Sequence, residues 1–168
     1  GYDRQRRLVT THLRPAPGAP EALITQTIWG ETLPDAEARN LRAREAEIRD
    51  QAGTQITETF DFRGNMTRSR RRLARDVDRL LDWSQPVALE PVSYLAETRH
   101  DALGRAVQMI GPFADDGGAS VQVIQHRFGR GGLLDGIDVW FERAAAPPGH
   151  LDPTSRDRMA IAAIHHDA

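Results

Sequence analysis

Cysteine is absent from this chain and so is lysine, all 22 basic residues being arginine. The first absence excludes disulfides and cysteine-ligated metal. The second reads as the mark of a GC-rich coding sequence rather than of a particular chemistry. A large excess of either charge is missing too: the formal net charge is −2, so no whole-molecule field points to nucleic acid or to an anionic membrane. No apolar run approaches the ~20 residues needed to cross a bilayer, and no basic leader precedes an apolar stretch. Direct membrane insertion is therefore not expected. At 168 residues the chain is long enough for one domain with a real core. It starts at Gly1 and stops at Ala168 inside what reads as a new turn. The expectation is a single fragment, 1–168, cut from a longer polypeptide at both ends.

What the chain does contain is one small device used repeatedly: an extended run, an Asp, two residues, a Gly and another run. Ile48–Gly53 carries Asp50 and Gly53, Phe60–Met66 carries Asp61 and Gly64, and His100–Arg105 carries Asp101 and Gly104. Phe128–Leu134 is a variant in which Gly129 replaces the Asp and Gly131 follows. Frayed copies stand at Tyr2–Arg6, which has no Gly, and at His166–Ala168. An Asp at the first turn position accepts a hydrogen bond from the backbone two residues on, and a Gly at the fourth adopts positive φ without penalty. Such turns join antiparallel strands. Asp50, Gly53, Asp61, Gly64, Asp101, Gly104, Gly129 and Gly131 are thus the expected structural turn formers. Repeated strand-turn-strand units build surfaces.

The runs between the turns alternate as strands do. Residues 22–29 place Ile24 and Ile28 on one face and Thr25 and Thr27 on the other. Residues 56–62 set Ile56, Phe60 and Phe62 against Thr57, Thr59 and Asp61, and 133–141 puts Leu133, Ile137, Val139 and Phe141 on one side. Period-two patterning of this length predicts half-buried antiparallel strands. Further strands are expected at 94–100, 105–110, 121–128 and 159–166. Two segments resist this reading. Residues 34–49 are rich in helix formers, and 70–82 place Leu73, Val77, Leu80 and Leu81 at helical spacing. A short helical turn near 35–41 and a helix at 74–81 are expected. Pro- and Gly-dense stretches at 14–20, 84–91, 111–118 and 144–153 read as loops.

Candidate chemistry is thin. The run Arg68–Arg75 is followed by Asp76, Asp78 and Asp82 and is not interleaved with aromatic residues, so cross-strand ion pairs are favoured over nucleic-acid binding. His165 and His166 are neighbours, which in a strand point to opposite faces and cannot share one metal. Asp115-Asp116-Gly117-Gly118 lacks the alternating ligands of a calcium loop and reads as a surface turn. Glu31, Asp35 and Glu37 have no histidine or second carboxylate cluster nearby, and read as charges at a helix start. Trp29, Trp83 and Trp140 could form a sugar platform, but packing between strands is the default for separated tryptophans. No catalytic residue, cofactor or metal ligand is assigned.

Phe60-Asp-Phe-Arg-Gly-Asn-Met-Thr and His100-Asp-Ala-Leu-Gly-Arg-Ala-Val resemble the Tyr-Asp (YD) or Rhs repeat, aromatic-Asp-x-x-Gly-Arg/Asn-apolar. The ordered series from Ile28-Trp-Gly-Glu-Thr-Leu-Pro-Asp through Arg49-Asp-Gln-Ala-Gly, Leu73-Ala-Arg-Asp, Asp82-Trp-Ser and Phe128-Gly-Arg-Gly-Gly-Leu-Leu is more specific. It is similar to the YD-repeat region of the B component of insecticidal toxin complexes (Tc toxins, SpvB-related), over residues ~21 to 168. The resemblance implies an all-β fold, an extended curved antiparallel sheet of YD/Rhs-type hairpins with at most two short helices. It also places strands at about 43–50 and 64–72, where propensity favours helix. The implied function is a segment of the hollow shell that encloses the cytotoxic cargo of a secreted bacterial toxin complex. Implied partners are other YD-repeat segments, the C and A components and the enclosed toxin polypeptide; nucleic acid is not among them. The C component's autoproteolytic core has no counterpart here, so the expectation is no enzyme. The alternative is an extracellular carbohydrate- or protein-binding YD-repeat module.

Overall fold

The computed structural model describes residues 1–118 and 120–164. Ten strands appear in chain order: β1 Thr10–Leu13, β2 Ala22–Trp29, β3 Glu45–Asp50, β4 Gly53–Phe60, β5 Met66–Ala74, β6 Leu89–His100, β7 Ala106–Ala114, β8 Val121–Phe128, β9 Leu134–Arg143 and β10 Arg158–Ile161. Strand order in the antiparallel sheet follows chain order, and the helical elements among the described residues are two 3-10 turns, Gly30–Thr32 and Pro153–Ser155. The fold is all-β. The chain divides into two compact units, Gly1–Ser93 and the residues from Tyr94 onward.

In the first unit, β2 and β3 pair from Gln26↔Arg49 to Trp29↔Glu45, and β3 meets β4 from Glu47↔Ile56 to Asp50↔Gly53. One buried cluster is made of Leu41, Ala46 and Ala36, backed by Leu33 and Phe60, and Leu23, Ala74 and Leu81 are buried apart from it. Residues 33–44 form the cover over this cluster, and where a short helical turn was expected near 35–41 the chain forms irregular hydrogen-bonded turns. Asp35, Asn40 and Ala43 take φ values of 56°, 54° and 57°, which no right-handed helix accommodates. Two local bonds of helical type remain, Arg39 N–H to the Asp35 carbonyl and Asn40 N–H to the Glu37 carbonyl, each at 3.0 Å. Tertiary bonds replace the rest: Phe60 N–H donates to the Arg39 carbonyl, Arg39 Nε to the Glu58 carbonyl and Asn40 Nδ2 to the Phe60 carbonyl.

The helix expected at 74–81 is also absent. Its periodic apolar residues do not form a buried stripe, since Val77 is 89% exposed and Leu81 alone is sequestered. Gln51 holds Leu81 from both sides, accepting its N–H at 2.9 Å and donating to its carbonyl at 3.0 Å. Trp83 N–H donates to the Leu23 carbonyl, and its indole N–H to the Asp50 carbonyl. Bonds to neighbouring strands outbid local propensity at this segment.

In the second unit Ile110, Val121, Val123 and Trp140 form a continuous core, with Phe113, Ala146 and Leu151 packed on it. The expected apolar face of residues 133–141 holds only in part, with Val139 buried and Ile137 half-buried. Leu133 and Phe141 are exposed, while Gly136, Asp138 and Trp140 face inward. Buried Asp138 is matched by the guanidiniums of Arg127 at 2.9 Å and Arg156 at 3.4 Å. A strand was also expected to reach Phe62, but β4 ends at Phe60 and Phe62 projects 81% exposed from the turn that follows. His165, His166 and the last frayed repeat lie outside the described residues.

Candidate functional site

Four turns share one geometry. At 3–7, 61–65, 101–105 and 129–133 the first residue's N–H donates to the carbonyl of the fifth, at 2.9–3.0 Å. The fourth residue's N–H returns to the carbonyl of the first, at 2.9–3.1 Å. The fourth residue is left-handed in every copy: Arg6 at 61°, Gly64 at 90°, Gly104 at 80° and Gly132 at 76°. A reverse turn followed by a residue of positive φ is the three-residue hairpin connection with a glycine bulge. In the last copy the left-handed residue is Gly132, one later than the expected Gly131, with Gly129 standing where the others have Asp. The copy lacking Gly keeps the geometry regardless, with Arg6 forced into the left-handed region.

The Asp of each turn saturates its carboxylate. Asp101 Oδ1 accepts the N–H of Leu103 and Arg105, and Oδ2 accepts Arg105 Nε at 2.7 Å. Asp61 accepts the N–H of Arg63 and Asn65 and the Asn65 side-chain amide. Asp3 accepts the N–H of Gln5 and Arg7 and the Arg7 guanidinium. These donors set the carboxyl groups below their ordinary range. For Asp101 the Arg105 guanidinium is the leading cause, and for Asp3 the Arg7 backbone N–H is. At Asp61 partial desolvation pulls upward, and the Asn65 amide with the backbone donors overcomes it. Such groups stay charged and fully engaged, which suits them to hold backbone and not to exchange protons.

Asp50 and Gly53 belong to a different turn. They pair with each other across a two-residue connection, with Ala52 N–H donating to Asp50 Oδ1 and Arg71 forking onto the carboxylate at 2.7 and 3.0 Å. Gly53 lies at φ 127°, and a Cβ there would strike the Arg72 carbonyl oxygen. The requirement is backbone against backbone.

A feature that sequence reasoning missed links neighbouring hairpins. The guanidinium of Arg7, the fifth residue of its turn, lies 4.1 Å from the Trp29 ring centroid. Arg105, the fifth residue of another, lies 4.1 Å from that of Phe128, the aromatic residue preceding the next turn. Arg44 sits over Phe60 in the same way at 5.1 Å. The Arg105–Phe128 pair alone had its signal in the repeat, an Arg after Gly104 and an aromatic before the next turn, whereas Arg7 follows Arg6 and Arg44 follows Ala43. Arg7 also forks onto Glu31, whose carboxyl is held low chiefly by that contact. Glu31 further accepts the Ala43 N–H, and Glu37 pairs with Arg42, so these acids brace the 33–44 cover instead of starting a helix.

The remaining candidates resolve into packing. Arg68 and Arg70 share Glu58 at 2.7 and 2.8 Å, Arg71 meets Asp50, and Arg72 donates to the Glu90 carbonyl. Three of the five arginines in the run, Arg68, Arg70 and Arg71, are thus paired with carboxylates of other strands. Trp140 is core, Trp83 is half-buried with its N–H engaged, and Trp29 borders an open groove of about 380 Å³ with Arg44, Gln55, Thr57 and Phe60. Asp116 accepts the Gly118 N–H in an exposed turn. Among the described residues no cluster of three His, Asp or Glu has a metal-binding arrangement.

No protein-family profile and no curated protein matches this sequence. Solved structures do match. The crystal structure of TcdB2-TccC3 aligns with a TM-score of 0.66 at 16% identity, over 79% of this chain and 6% of that one. The structure of the Photorhabdus luminescens Tc holotoxin pore aligns with a TM-score of 0.68 at 16% identity, over 80% of this chain and 6% of that one. This chain therefore has the fold of a small portion of these YD/Rhs-repeat Tc toxin components.

Proposed function

We propose that this chain is a wall segment of a YD-repeat shell in a secreted toxin complex. It encloses a polypeptide cargo in company with other YD-repeat segments and has no catalytic activity of its own. The observation that carries this reading is the recurrence of one turn geometry at four places, in a fold shared with Tc components of far greater length. A barrier has to be continuous. Antiparallel hairpins satisfy their backbone groups laterally, and Arg–aromatic contacts such as Arg105–Phe128 tie one hairpin to the next. Saturated, ionised aspartates suit such a role better than acid–base chemistry.

The test is made on the natural polypeptide that contains these residues, purified through a tag at the exposed Gly117-Gly118 turn. Negative-stain electron microscopy is expected to show a hollow particle, with an internal segment resistant to trypsin until the particle is denatured. A particle without an interior, or a segment digested at the same rate before and after denaturation, sinks the proposal. A second reading, carbohydrate binding, draws on the groove beside Trp29 and Phe60. Glycan-array binding that disappears in Trp29→Ala would favour it.

A further inference from the structure

Asp-Gly occurs twice in the chain, at Asp116-Gly117 and Asp135-Gly136, and Asn-Gly does not occur. An aspartate followed by glycine can cyclise. The glycine nitrogen attacks the aspartate Cγ, an N–Cγ bond forms, and the carboxyl hydroxyl leaves as water with the amide proton. Glycine favours the step because no Cβ crowds the attacking nitrogen and its backbone turns freely. The succinimide then takes up water at either carbonyl. Opening at Cγ restores aspartate, whereas opening at the α-carbonyl leaves isoaspartate, whose main chain runs through Cβ and Cγ and whose α-carboxylate is free. Ring closure requires the aspartate ψ to leave the extended region, and on that requirement the fold separates the two sites.

Asp116-Gly117 lies in the connection between β7 and β8, outside the ladder, and Asp115, Asp116, Gly117 and Gly118 are all exposed. Gly117 takes φ 77°, and a Cβ built on it would meet nothing within 4 Å. Asp116 Oδ1 accepts the Gly118 N–H at 3.1 Å, which turns the carboxyl toward the backbone that follows, on the side of the nitrogen it would join. Asp135-Gly136 is the opposite case. Both residues belong to β9, and Gly136 is buried and pairs with Arg127 of β8. The Arg127 guanidinium occupies the place a Gly136 Cβ would take, and it reaches Asp135 Oδ2 at 3.6 Å. The Asp135 carbonyl accepts the Ile164 N–H at 2.9 Å. Cyclisation there has first to open the β8–β9 ladder.

We propose that Asp116-Gly117 is this chain's site of isoaspartate formation, and thereby the site at which an isoaspartyl carboxyl methyltransferase using S-adenosylmethionine acts on it. An enzyme of that class moves the sulfonium methyl group to the freed α-carboxylate, giving a methyl ester and S-adenosylhomocysteine. Reclosure of the ring then expels methanol and regenerates the succinimide. The test incubates the full chain at mildly alkaline pH, folded and in guanidinium chloride, and digests it with trypsin. Peptides Ala106–Arg127 and Gly131–Arg143 separate the two sites, and electron-transfer fragmentation locates the isoaspartate. In the folded chain, conversion at Asp116 is expected to exceed that at Asp135 roughly tenfold or more, and in denaturant the two should agree within about threefold. The methyltransferase with tritiated S-adenosylmethionine should label the aged chain. Asp116→Glu, which would have to close a larger ring, should lose most of that label. Equal conversion in the folded chain, isoaspartate at Asp115 instead, or label unchanged in Asp116→Glu overturns the proposal. A preference just as large in denaturant overturns it equally, because flanking sequence and not the fold would then be its cause.

Discussion

Residues 1–93 and the residues from Tyr94 onward use the same hairpins and hold them with opposite chemistry. In the first unit the strands are laced by partly exposed guanidinium–carboxylate pairs such as Arg71–Asp50 and Arg70–Glu58, and the buried apolar residues are Leu23, Leu41, Leu81 and three alanines. In the second, Ile110, Val121, Val123 and Trp140 form one patch, and the polar groups within it are few and fully enclosed. A partly exposed ion pair contributes about 0–1 kcal/mol, whereas burying one large apolar side chain contributes roughly 1.5–3 kcal/mol. Stability is therefore spread over many weak contacts in the first unit and concentrated in a few strong ones in the second. A sheet can be tiled by either solution because its backbone ladder is indifferent to both.

The sharpest way to break that contrast is to remove one member from each unit. Trp140→Ala is expected to cost about 3–5 kcal/mol, while Arg71→Ala, despite its forked contact with Asp50, costs about 1 kcal/mol or less. Urea denaturation of the two variants measures both. Equal losses would mean that the first unit depends on its ion pairs far more than their exposure allows.

The turns supply the next largest effect. Gly104→Val in the second unit should lose on the order of 1–3 kcal/mol, because φ at 104 is 80° and a β-branched residue does not tolerate that region. The equivalent position in the first unit already carries the strain, as Arg6 at φ 61°. Arg6→Gly should accordingly raise the melting temperature, by the equivalent of up to about 1 kcal/mol. If Arg6→Gly lowers it instead, the two turns are not the same structure.

How much of this was legible in the sequence depends on how local each signal is. Strands β2 and β8 coincide with the alternation at 22–29 and 121–128, since period-two patterning is a property of the run itself. The spacing of Asp from Gly is equally local, and the left-handed positions 64 and 104 fall on it. Choosing between Gly131 and Gly132 is not a local matter, because either can adopt the conformation and the pairing of β8 with β9 decides. The helical turn expected near 35–41 and the helix expected at 74–81 did not form for the same reason. Gln51 lies some thirty residues from Leu81 along the chain, and no window of propensity contains that contact. In β9 hydrophobicity alone assigned one inward face to Leu133, Ile137, Val139 and Phe141, but Gly136, Asp138 and Trp140 are buried beside Val139 while Leu133 and Phe141 are exposed. The contact of Arg105 with Phe128 was written in the repeat, but only as a relation between one copy and the next.

A gain should be obtainable from the turn that lacks its carboxylate. At 129–133 the backbone bonds match the other copies, yet Gly129 offers no acceptor to the N–H groups that Asp61 and Asp101 satisfy in theirs. A Cβ at Gly129 would meet only the Leu133 carbonyl oxygen, at 3.9 Å, and its φ is not left-handed. Gly129→Asp is expected to stabilise by roughly 0.5–1 kcal/mol, by filling that acceptor position and by restricting the unfolded chain. Thermal unfolding checks it, and a loss of stability would show that the fourth turn only imitates the others.

Acid should distinguish the turns by the smallest effect, since their carboxylates stand close to solvent. Asp61 and Asp101 have folded-state values below the ~3.9 of an unfolded aspartate, so between the two values the unfolded chain binds more protons. Their contribution is therefore complete above about pH 4 and is lost as pH falls through the lowered folded value. Asp101→Asn keeps an oxygen acceptor but cannot titrate, and its melting temperature should fall less steeply than the parent's below about pH 4. Gly129→Asp should do the reverse, adding an acid-sensitive turn to a hairpin that has none. Parallel profiles for the parent and both variants would mean that the backbone alone, and not the charge it cradles, holds these turns.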